Sequence, residues 1–197
     1  MRINSFFSRL VIIFATLALT YLYAQYEKKK YYSFDTPENE LVLKTLPDFN
    51  SVEVSTGNQI NSYAYLKGSN GLFVHIWGTW CAPCEKEMPE FLKYAESLKE
   101  KDVKFLLIAV NDEDVKIKKF MARFLIPGNV AVVRDSENKV MDLFGTLKVP
   151  ETFLFNVNGK HVNKFVGPQE WLQESYKSRL DFWLNLGNSV ERKIETH

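Results

Sequence analysis

The fold is decided by residues 72–84, which read Leu-Phe-Val-His-Ile-Trp-Gly-Thr-Trp-Cys-Ala-Pro-Cys. The first six residues of this stretch form a short apolar run, which is typical of a strand buried on both faces. After the cysteines, apolar residues recur at the spacing of one helix face, namely Met88, Phe91, Leu92, Ala95 and Leu98. The pattern therefore predicts that Cys81 and Cys84 lie where a buried strand turns into a helix.

The predicted position of Cys81, at a helix N-terminus, favours its thiolate. Unpaired backbone N–H groups and the positive end of the helix dipole stabilise negative charge there, so the pKa of Cys81 should fall below the free value of about 8.5. Cys84 lies one turn further along and should be more buried. We therefore expect Cys81 to attack disulfides and Cys84 to resolve the mixed disulfide. Pro83 pre-sets the first turn of the helix.

Other uses of the cysteine pair fit less well. A structural disulfide across four residues would close a very small loop, worth about 2 kcal/mol. A metal site needs about four ligands, whereas the chain has two cysteines and three histidines. A copper-delivery site would need a wider cysteine spacing. We expect no metal, and no cofactor besides a redox-active disulfide between Cys81 and Cys84.

Two more buried strands and an amphipathic helix are predicted after the cysteine pair. Apolar runs at residues 103–110 and 130–133 predict the strands. The helix between them is ended by Pro127-Gly128. Its apolar face consists of Ile117, Phe120, Met121, Phe124 and Leu125.

A hairpin and a closing helix complete the predicted domain. Asn158-Gly159 is a two-residue turn signal between strands at 152–157 and 162–166. The closing helix has apolar residues four positions apart, namely Leu172, Tyr176, Leu180 and Leu184. The order predicts an α/β fold with a central mixed β-sheet, helices on both faces, and one N-terminal transmembrane helix before it.

The N-terminal segment is predicted to be a membrane anchor. Arg2 and Arg9 precede an apolar run over residues 10–24, which is slightly short for a bilayer span of about 20 residues. A cleaved signal peptide is the alternative, but the bulky Leu22 at the −3 position argues against it. Charge does not decide the orientation, because lysines at 28–30 oppose the arginines.

The chain divides into four predicted parts. Residues 1–24 form the anchor, 25–45 a linker, 46–187 one globular domain and 188–197 a polar tail. The net charge of +1 provides no global field for nucleic acid, so no nucleic-acid partner is expected.

Residues 73–89 closely resemble the thioredoxin superfamily. The resemblance is strongest to its membrane-anchored extracytoplasmic branch, which includes TlpA, ResA and CcmG (also called DsbE). Residues 46–49 resemble the start of those domains and residues 147–155 their cis-proline loop. The resemblance covers about residues 46–185 and implies the thioredoxin fold and thiol–disulfide oxidoreductase activity. It also implies a single pass through the inner (cytoplasmic) membrane, with the catalytic domain on the periplasmic side.

The resemblance further implies roles for individual residues. The bond between Val149 and Pro150 should be cis and face the sulfurs, with the Val149 backbone presented to an extended substrate, as in strand addition. Trp80 and Pro83 should line the same substrate site.

Two carboxylates match the family pattern. Glu87 matches a glutamate near the cysteine pair in reducing members, and Glu151 matches the Pro-Glu-Thr loop typical of CcmG. A carboxylate whose pKa is raised by burial can take the proton of a buried thiol. For each, a solvated carboxylate without a role in catalysis is the alternative.

His75 departs from the family pattern. Six residues before Cys81, this branch usually carries Asn, and thioredoxin itself an Asp. A histidine there is a candidate proton relay to Cys84 near neutral pH. The alternative is a hydrogen-bonded core histidine.

These features favour an extracytoplasmic reductase of protein disulfides, acting in cytochrome c maturation. Electrons would come from a membrane thiol donor and pass to disulfide-containing envelope proteins such as apocytochrome c. One alternative is a general TlpA-like reductase for other targets, such as metal-site assembly proteins. A second alternative is a redox-inactive peptide-binding module, against which the intact cysteine pair argues.

Overall fold

The computed structural model describes residues 12–24, 43–135, 137, 139–174, 176, 178–180 and 183. The chain divides into two units, residues 1–41 and 42–197. In the first unit, residues 12–24 are helical (α1) with exposed side chains. No helix among the described residues is both long and apolar enough to cross a bilayer. The rest of the predicted anchor, most of the predicted linker and the predicted polar tail lie outside the described residues.

The second unit is built on a seven-stranded sheet whose strand order is β2-β1-β5-β4-β3-β6-β7. The strands are β1 (Asn50–Glu53), β2 (Gln59–Asn61), β3 (Gly71–Trp77), β4 (Val103–Ala109), β5 (Val130–Arg134), β6 (Glu151–Asn156) and β7 (His161–Val166). β4 pairs in parallel with β3 and with β5, and the other pairs are antiparallel. The predicted mixed sheet is confirmed, with the cysteine-bearing strand β3 near its centre.

Helices cover both faces of this sheet, as predicted. They are α2 (Ser62–Leu66), α3 (Ala82–Ser97), a 3-10 helix (Lys99–Lys101), α4 (Asp114–Met121) and α5 (Val140–Phe144). Because side chains alternate along a strand, β3 contributes residues to two apolar clusters, one on each face of the sheet. Phe73 and Trp77 pack with residues of α3 and α4, whereas Leu72, Val74 and Ile76 pack with residues of α2 and α5.

Three sequence predictions need correction. The helix predicted up to Leu125 ends at Met121, and Leu125 is 93% exposed, because the chain leaves the helix before it reaches Pro127. The hairpin connection spans residues 157–160 rather than two residues, since a β-bulge lets His161 pair with Phe155.

The third correction concerns the closing helix. Leu172 lies in a turn and is 39% exposed, because its neighbour Trp171 occupies the buried position. Tyr176 and Leu180 are helical, as predicted. Leu184 lies outside the described residues.

The start of the domain is held by the β6–β7 hairpin. The Leu46 N–H donates to the Gly159 carbonyl at 2.7 Å, and the His161 N–H donates to the Lys44 carbonyl at 2.9 Å. Gly159 has a φ of 76°, a left-handed conformation that glycine adopts readily. Residues 44–46 are therefore fixed to the domain by backbone hydrogen bonds.

Candidate active site

The cysteine pair lies at the junction of β3 and α3, as the sequence predicted. Cys81 is the N-cap of α3 and forms a disulfide with Cys84, with their Cα atoms 5.3 Å apart. The Cys84 N–H donates to the Cys81 Sγ at 3.3 Å. Cys81 is 5% exposed and Cys84 fully buried, so the sulfur nearer to solvent belongs to the residue at the helix terminus.

The loop before the pair is tied to the loop after β4. The Thr79 N–H donates to Asp112 Oδ2 at 2.6 Å, and the Thr79 hydroxyl bonds the other carboxylate oxygen at 3.0 Å. Sequence reasoning missed Asp112, because its partner is 33 positions away and an acidic residue in a loop carries no distinguishing signal.

Trp80 lies beside Cys81 in a fixed orientation although it is 57% exposed. Its indole N–H donates to the Val110 carbonyl at 3.1 Å. A Cβ on Gly78 would lie 2.5 Å from the Trp80 Nε1, so the indole can occupy this place only because residue 78 has no side chain. The result is an exposed apolar surface next to the more accessible sulfur.

The predicted cis-proline loop closes the site from the other side. The Val149–Pro150 peptide bond is cis, and the Val149 carbonyl oxygen lies 3.7 Å from the Cys81 Sγ. In the disulfide this sulfur carries no hydrogen, so the approach is a contact rather than a hydrogen bond. Leu147, at the start of this loop, is 88% exposed.

Glu87 is buried beneath the pair, three residues after Cys84 on α3, and is 5% exposed. Its Oε2 accepts the Gln169 N–H at 2.8 Å and the Trp171 indole N–H at 3.2 Å. Burial raises the pKa of Glu87 to about 7, while these two hydrogen bonds lower it. Residues at i and i+3 share a helix face, so this carboxyl lies on the same side of α3 as Cys84.

His75 is fully buried on β3. Its Nδ1 lies 2.8 Å from the Thr152 hydroxyl on β6, and its ring centre is 4.4 Å from that of Phe91. The Nε2 lies 3.6 Å from the Glu87 Oε1. Burial lowers the pKa of His75 to about 3, so the imidazole is neutral at neutral pH.

Glu151 is also buried but has a different environment. Its Oε2 lies 3.0 Å from the Lys164 ammonium. On β6, Thr152 pairs with His75 and Glu151 pairs with Ile76, so strand alternation places the Glu151 and His75 side chains on opposite faces of the sheet. The two predicted carboxylates are therefore held by separate partners on separate faces.

A cavity of about 650 Å³ opens beside the first turns of α3. Pro83 and Glu87 line one side of it, and residues 168–170 line the other. Among the residues that the structure describes, no group of three His, Cys, Asp or Glu side chains is placed to hold a metal ion.

Comparison with known proteins places the chain in a family. The Redoxin family matches residues 42–180. The chain belongs to the Redoxin family. It is 31% identical to the thiol-disulfide oxidoreductase ResA of Bacillus thuringiensis subsp. konkukian over 150 residues, covering 75% of this chain and 84% of the relative. The predicted resemblance to the TlpA, ResA and CcmG branch is confirmed.

Other relatives match over a shorter stretch. ResA of Bacillus anthracis is 36% identical over 104 residues, which cover 53% of this chain and 58% of that protein. ResA of Bacillus subtilis is 34% identical over 102 residues, which cover 52% of this chain and 55% of that protein. The matched part thus spans little more than half the length of these relatives.

Solved structures share the fold at low sequence identity. A protein assigned as a thioredoxin from Neisseria meningitidis has a TM-score of 0.65 at 22% identity, covering 78% of this chain and 99% of its own. A protein assigned as the thiol:disulfide interchange protein DsbE from Chlorobium tepidum has a TM-score of 0.61 at 22% identity, covering 72% and 96%. The predicted thioredoxin-like fold is confirmed.

Proposed function

We propose that this protein reduces disulfides in other proteins through Cys81 and Cys84. The observation that carries the proposal is the cysteine pair at the N-terminus of α3, facing the Val149 carbonyl and backed by the buried Glu87. The helix N-terminus stabilises a thiolate on Cys81. The buried carboxyl provides a place for the proton that Cys84 must lose.

The reaction follows from the different exposure of the two sulfurs. In the reduced protein, the Cys81 thiolate attacks one sulfur of the substrate disulfide, and the other substrate sulfur leaves as a thiolate. Cys84 gives its proton to the Glu87 carboxylate and attacks Cys81. This forms the Cys81–Cys84 disulfide seen in the structure and releases the second substrate sulfur as a thiolate, which takes a proton from water. Two electrons pass to the substrate, and a thiol donor restores the reduced pair.

The substrate is proposed to bind as an extended segment along the cis-proline loop. Val149 offers backbone groups next to the attacking Cys81 sulfur, as in strand addition. Trp80, Pro83 and Pro150 would contact the side chains of that segment. The apolar exposure of Trp80 and Leu147 favours a protein segment over a small charged thiol.

The physiological context is proposed from the family branch. The N-terminal 24 residues would anchor the chain in the inner membrane with the domain on the periplasmic side, and residues 25–45 would be the linker. Apocytochrome c is the proposed substrate, because Pro150-Glu151-Thr152 resembles the loop typical of CcmG. A membrane thiol protein would supply the electrons.

Disulfide trapping tests the proposal. Cys84→Ser should accumulate mixed disulfides through Cys81, because the resolving thiol is missing, whereas Cys81→Ser should trap nothing. The trapped partners, identified by mass spectrometry, distinguish apocytochromes c from metal-site assembly proteins. If the Cys84→Ser protein traps no partner, the reductase assignment is wrong. A reduction potential of about −120 mV, which is typical of strong oxidants, would also contradict it.

A further inference from the structure

Two buried polar atoms, one on β3 and one on α3, face each other in the described part of the chain. The His75 Nε2 and the Glu87 Oε1 lie 3.6 Å apart, with side-chain exposures of 0% and 3%. Among the residues that the structure describes, neither atom has a hydrogen-bond partner. Their separation exceeds that of an ordinary hydrogen bond by about 0.5 Å, yet buried polar atoms are rarely left unpaired. Each is therefore the natural partner of the other.

The remaining polar atoms of both side chains are already committed. The Glu87 Oε2 accepts N–H groups from Gln169 and Trp171, so it has no room for a proton of its own. A proton bound by this carboxyl must sit on Oε1, facing His75. On the far side of the ring, Nδ1 pairs with the Thr152 hydroxyl, which can either donate or accept.

We propose that His75 and Glu87 form a coupled pair in which the imidazole N–H changes nitrogen whenever Glu87 gains or loses its proton. With Glu87 ionised, the Nε2–H donates to Oε1 and the Thr152 hydroxyl donates to Nδ1. With Glu87 protonated, the Oε1–H donates to Nε2 and the Nδ1–H donates to the Thr152 oxygen. Any other arrangement leaves two hydrogens, or two lone pairs, facing each other.

The two forms differ by one proton. Protonated Glu87 with the Nδ1–H ring holds two protons, and ionised Glu87 with the Nε2–H ring holds one. In a titration that proton is exchanged with water. In turnover it comes from Cys84, and this statement alone rests on the proposed function. His75 is thus a positioning residue, which stays neutral and stabilises either charge state of Glu87.

The groups packed around the pair are compatible with this coupling. Cys84 lies on the same face of α3 as Glu87, and Thr152 faces His75 from β6. Tyr176, in the C-terminal segment, lies close enough to feel the Glu87 charge, and burial raises its pKa above 10.0, so it stays neutral. Glu151 and Lys164 pair with each other across the sheet.

Nitrogen-15 NMR of the full-length oxidised protein tests the proposal, because imidazole nitrogens with and without hydrogen have distinct shifts. The chain has three histidines, and His161→Asn and His197→Asn identify the His75 signals by elimination. The imidazole hydrogen should be on Nδ1 at low pH and on Nε2 at high pH. The midpoint of this change should equal the midpoint of the Glu87 titration, followed at its carboxyl carbon. An N–H on the same nitrogen throughout, or on both nitrogens at neutral pH, overturns the proposal.

Glu87→Gln provides a matched test that preserves shape. The Gln169 and Trp171 donors require an acceptor, so the amide oxygen should face them and the amide NH₂ should face Nε2. His75 should then hold its hydrogen on Nδ1 at every pH, and an Nε2–H ring in this variant overturns the proposal. Failure of disulfide trapping with the tautomer change intact would overturn the reductase function alone. Disulfide trapping without the tautomer change would overturn the proposed coupling of His75 and Glu87 and leave the reductase function standing.

Discussion

Glu87 and His75 carry opposite pKa shifts for the same physical reason. Burial disfavours the charged form of both groups. It raises the pKa of the Glu87 carboxyl to about 7 and lowers the pKa of the His75 imidazole to about 3. Between the ordinary pKa values of 4.5 and 6.5, and beyond the single N–H hydrogen of the neutral imidazole, the folded pair holds one titrating proton, on Glu87. The unfolded chain also holds one, on His75. The pair therefore contributes no pH dependence to stability in this window.

Removing either member of the pair should reveal the pH dependence of stability that the remaining member contributes. The slopes of stability against pH in the two variants should have opposite signs. In Glu87→Gln, only His75 remains, and its lowered pKa costs stability as pH falls below 6.5, so stability should rise by about 1.4 kcal/mol per pH unit across the window. In His75→Asn, the raised pKa of Glu87 makes stability fall by a similar amount per unit as pH rises from 4.5 towards 7. Urea unfolding of the oxidised proteins, each compared with wild type, measures both slopes. Slopes of the same sign would contradict the assignment.

The two buried carboxylates should differ in their effect on exchange. Glu87→Gln should slow resolution of the mixed disulfide by about 100-fold, the usual loss for a proton acceptor. Glu151→Gln removes only the pairing with Lys164 on the opposite face, so the loss should be less than about tenfold. Stopped-flow measurement of substrate release from the Cys81 mixed disulfide compares the two. An equal loss in both variants would show that Glu151 shares the proton-accepting role.

Sequence reasoning at this scale proposed these residues as candidates but did not predict their pairing. Cys81 and Cys84 were candidates because of their motif at the strand–helix junction, whereas Glu87 and His75 became candidates through comparison with the family pattern. The partners that set their chemistry, Thr152 and Trp171, are 77 and 84 positions distant from His75 and Glu87. No local pattern encodes such contacts, so the coupling required the structure.

At the scale of elements, the site depends on how the β3–α3 loop is held against the loop after β4. The Asp112 carboxylate receives the Thr79 N–H and the Glu113 N–H, and so links the two loops at one point. The Trp80 indole adds a second link through the Val110 carbonyl. The position of Cys81 at the end of this loop is therefore set by two contacts outside its own helix.

Asp112→Ala should lower the free energy of unfolding by about 1–2 kcal/mol, since hydrogen bonds to a charged group are lost and the Thr79 N–H is left without its acceptor. Glu113→Ala is the matched control, because the side chain of this exposed neighbour pairs with Lys116 at the surface, and it should change stability by less than about 0.5 kcal/mol. Urea unfolding monitored by tryptophan fluorescence measures both. Equal losses in the two variants would mean that the Asp112 link does not stabilise the loop.

The elements that the sequence predicted best are the strands buried on both faces and the two longer amphipathic helices of the domain. β3, β4 and β5 read as continuous apolar runs, and α3 and α4 as amphipathic helices. The β1–β2 hairpin and the five-residue helices α2 and α5 were not predicted. Their partial burial and short length leave too few residues to establish a period. They owe their structure to pairing and packing with the rest of the sheet rather than to a local pattern.

At the scale of the whole molecule, the chain after β7 returns to complete the site. Trp171 is fully buried, and its ring centre lies 4.8 Å from that of Phe91 on α3 and 5.2 Å from that of Phe165 on β7. The same residue donates its indole N–H to Glu87. One side chain therefore packs in the core against α3 and also donates a hydrogen bond that lowers the pKa of the Glu87 carboxyl.

These two roles of Trp171 should separate on substitution. Trp171→Phe keeps an aromatic ring but removes a donor to the ionised carboxylate, so the pKa of Glu87 should rise further above about 7. Trp171→Ala should in addition cost about 3–5 kcal/mol of unfolding free energy through the cavity that it leaves. Trp183→Phe is the matched control, since Trp183 also follows β7 in the chain and, like Trp171, packs on Phe165. Carbon-13 NMR of the Glu87 carboxyl and urea unfolding measure the two effects. If Trp171→Phe and Trp183→Phe leave the Glu87 midpoint equally unchanged, the indole hydrogen bond does not control this carboxyl, and its pKa is set by burial and the Gln169 N–H alone.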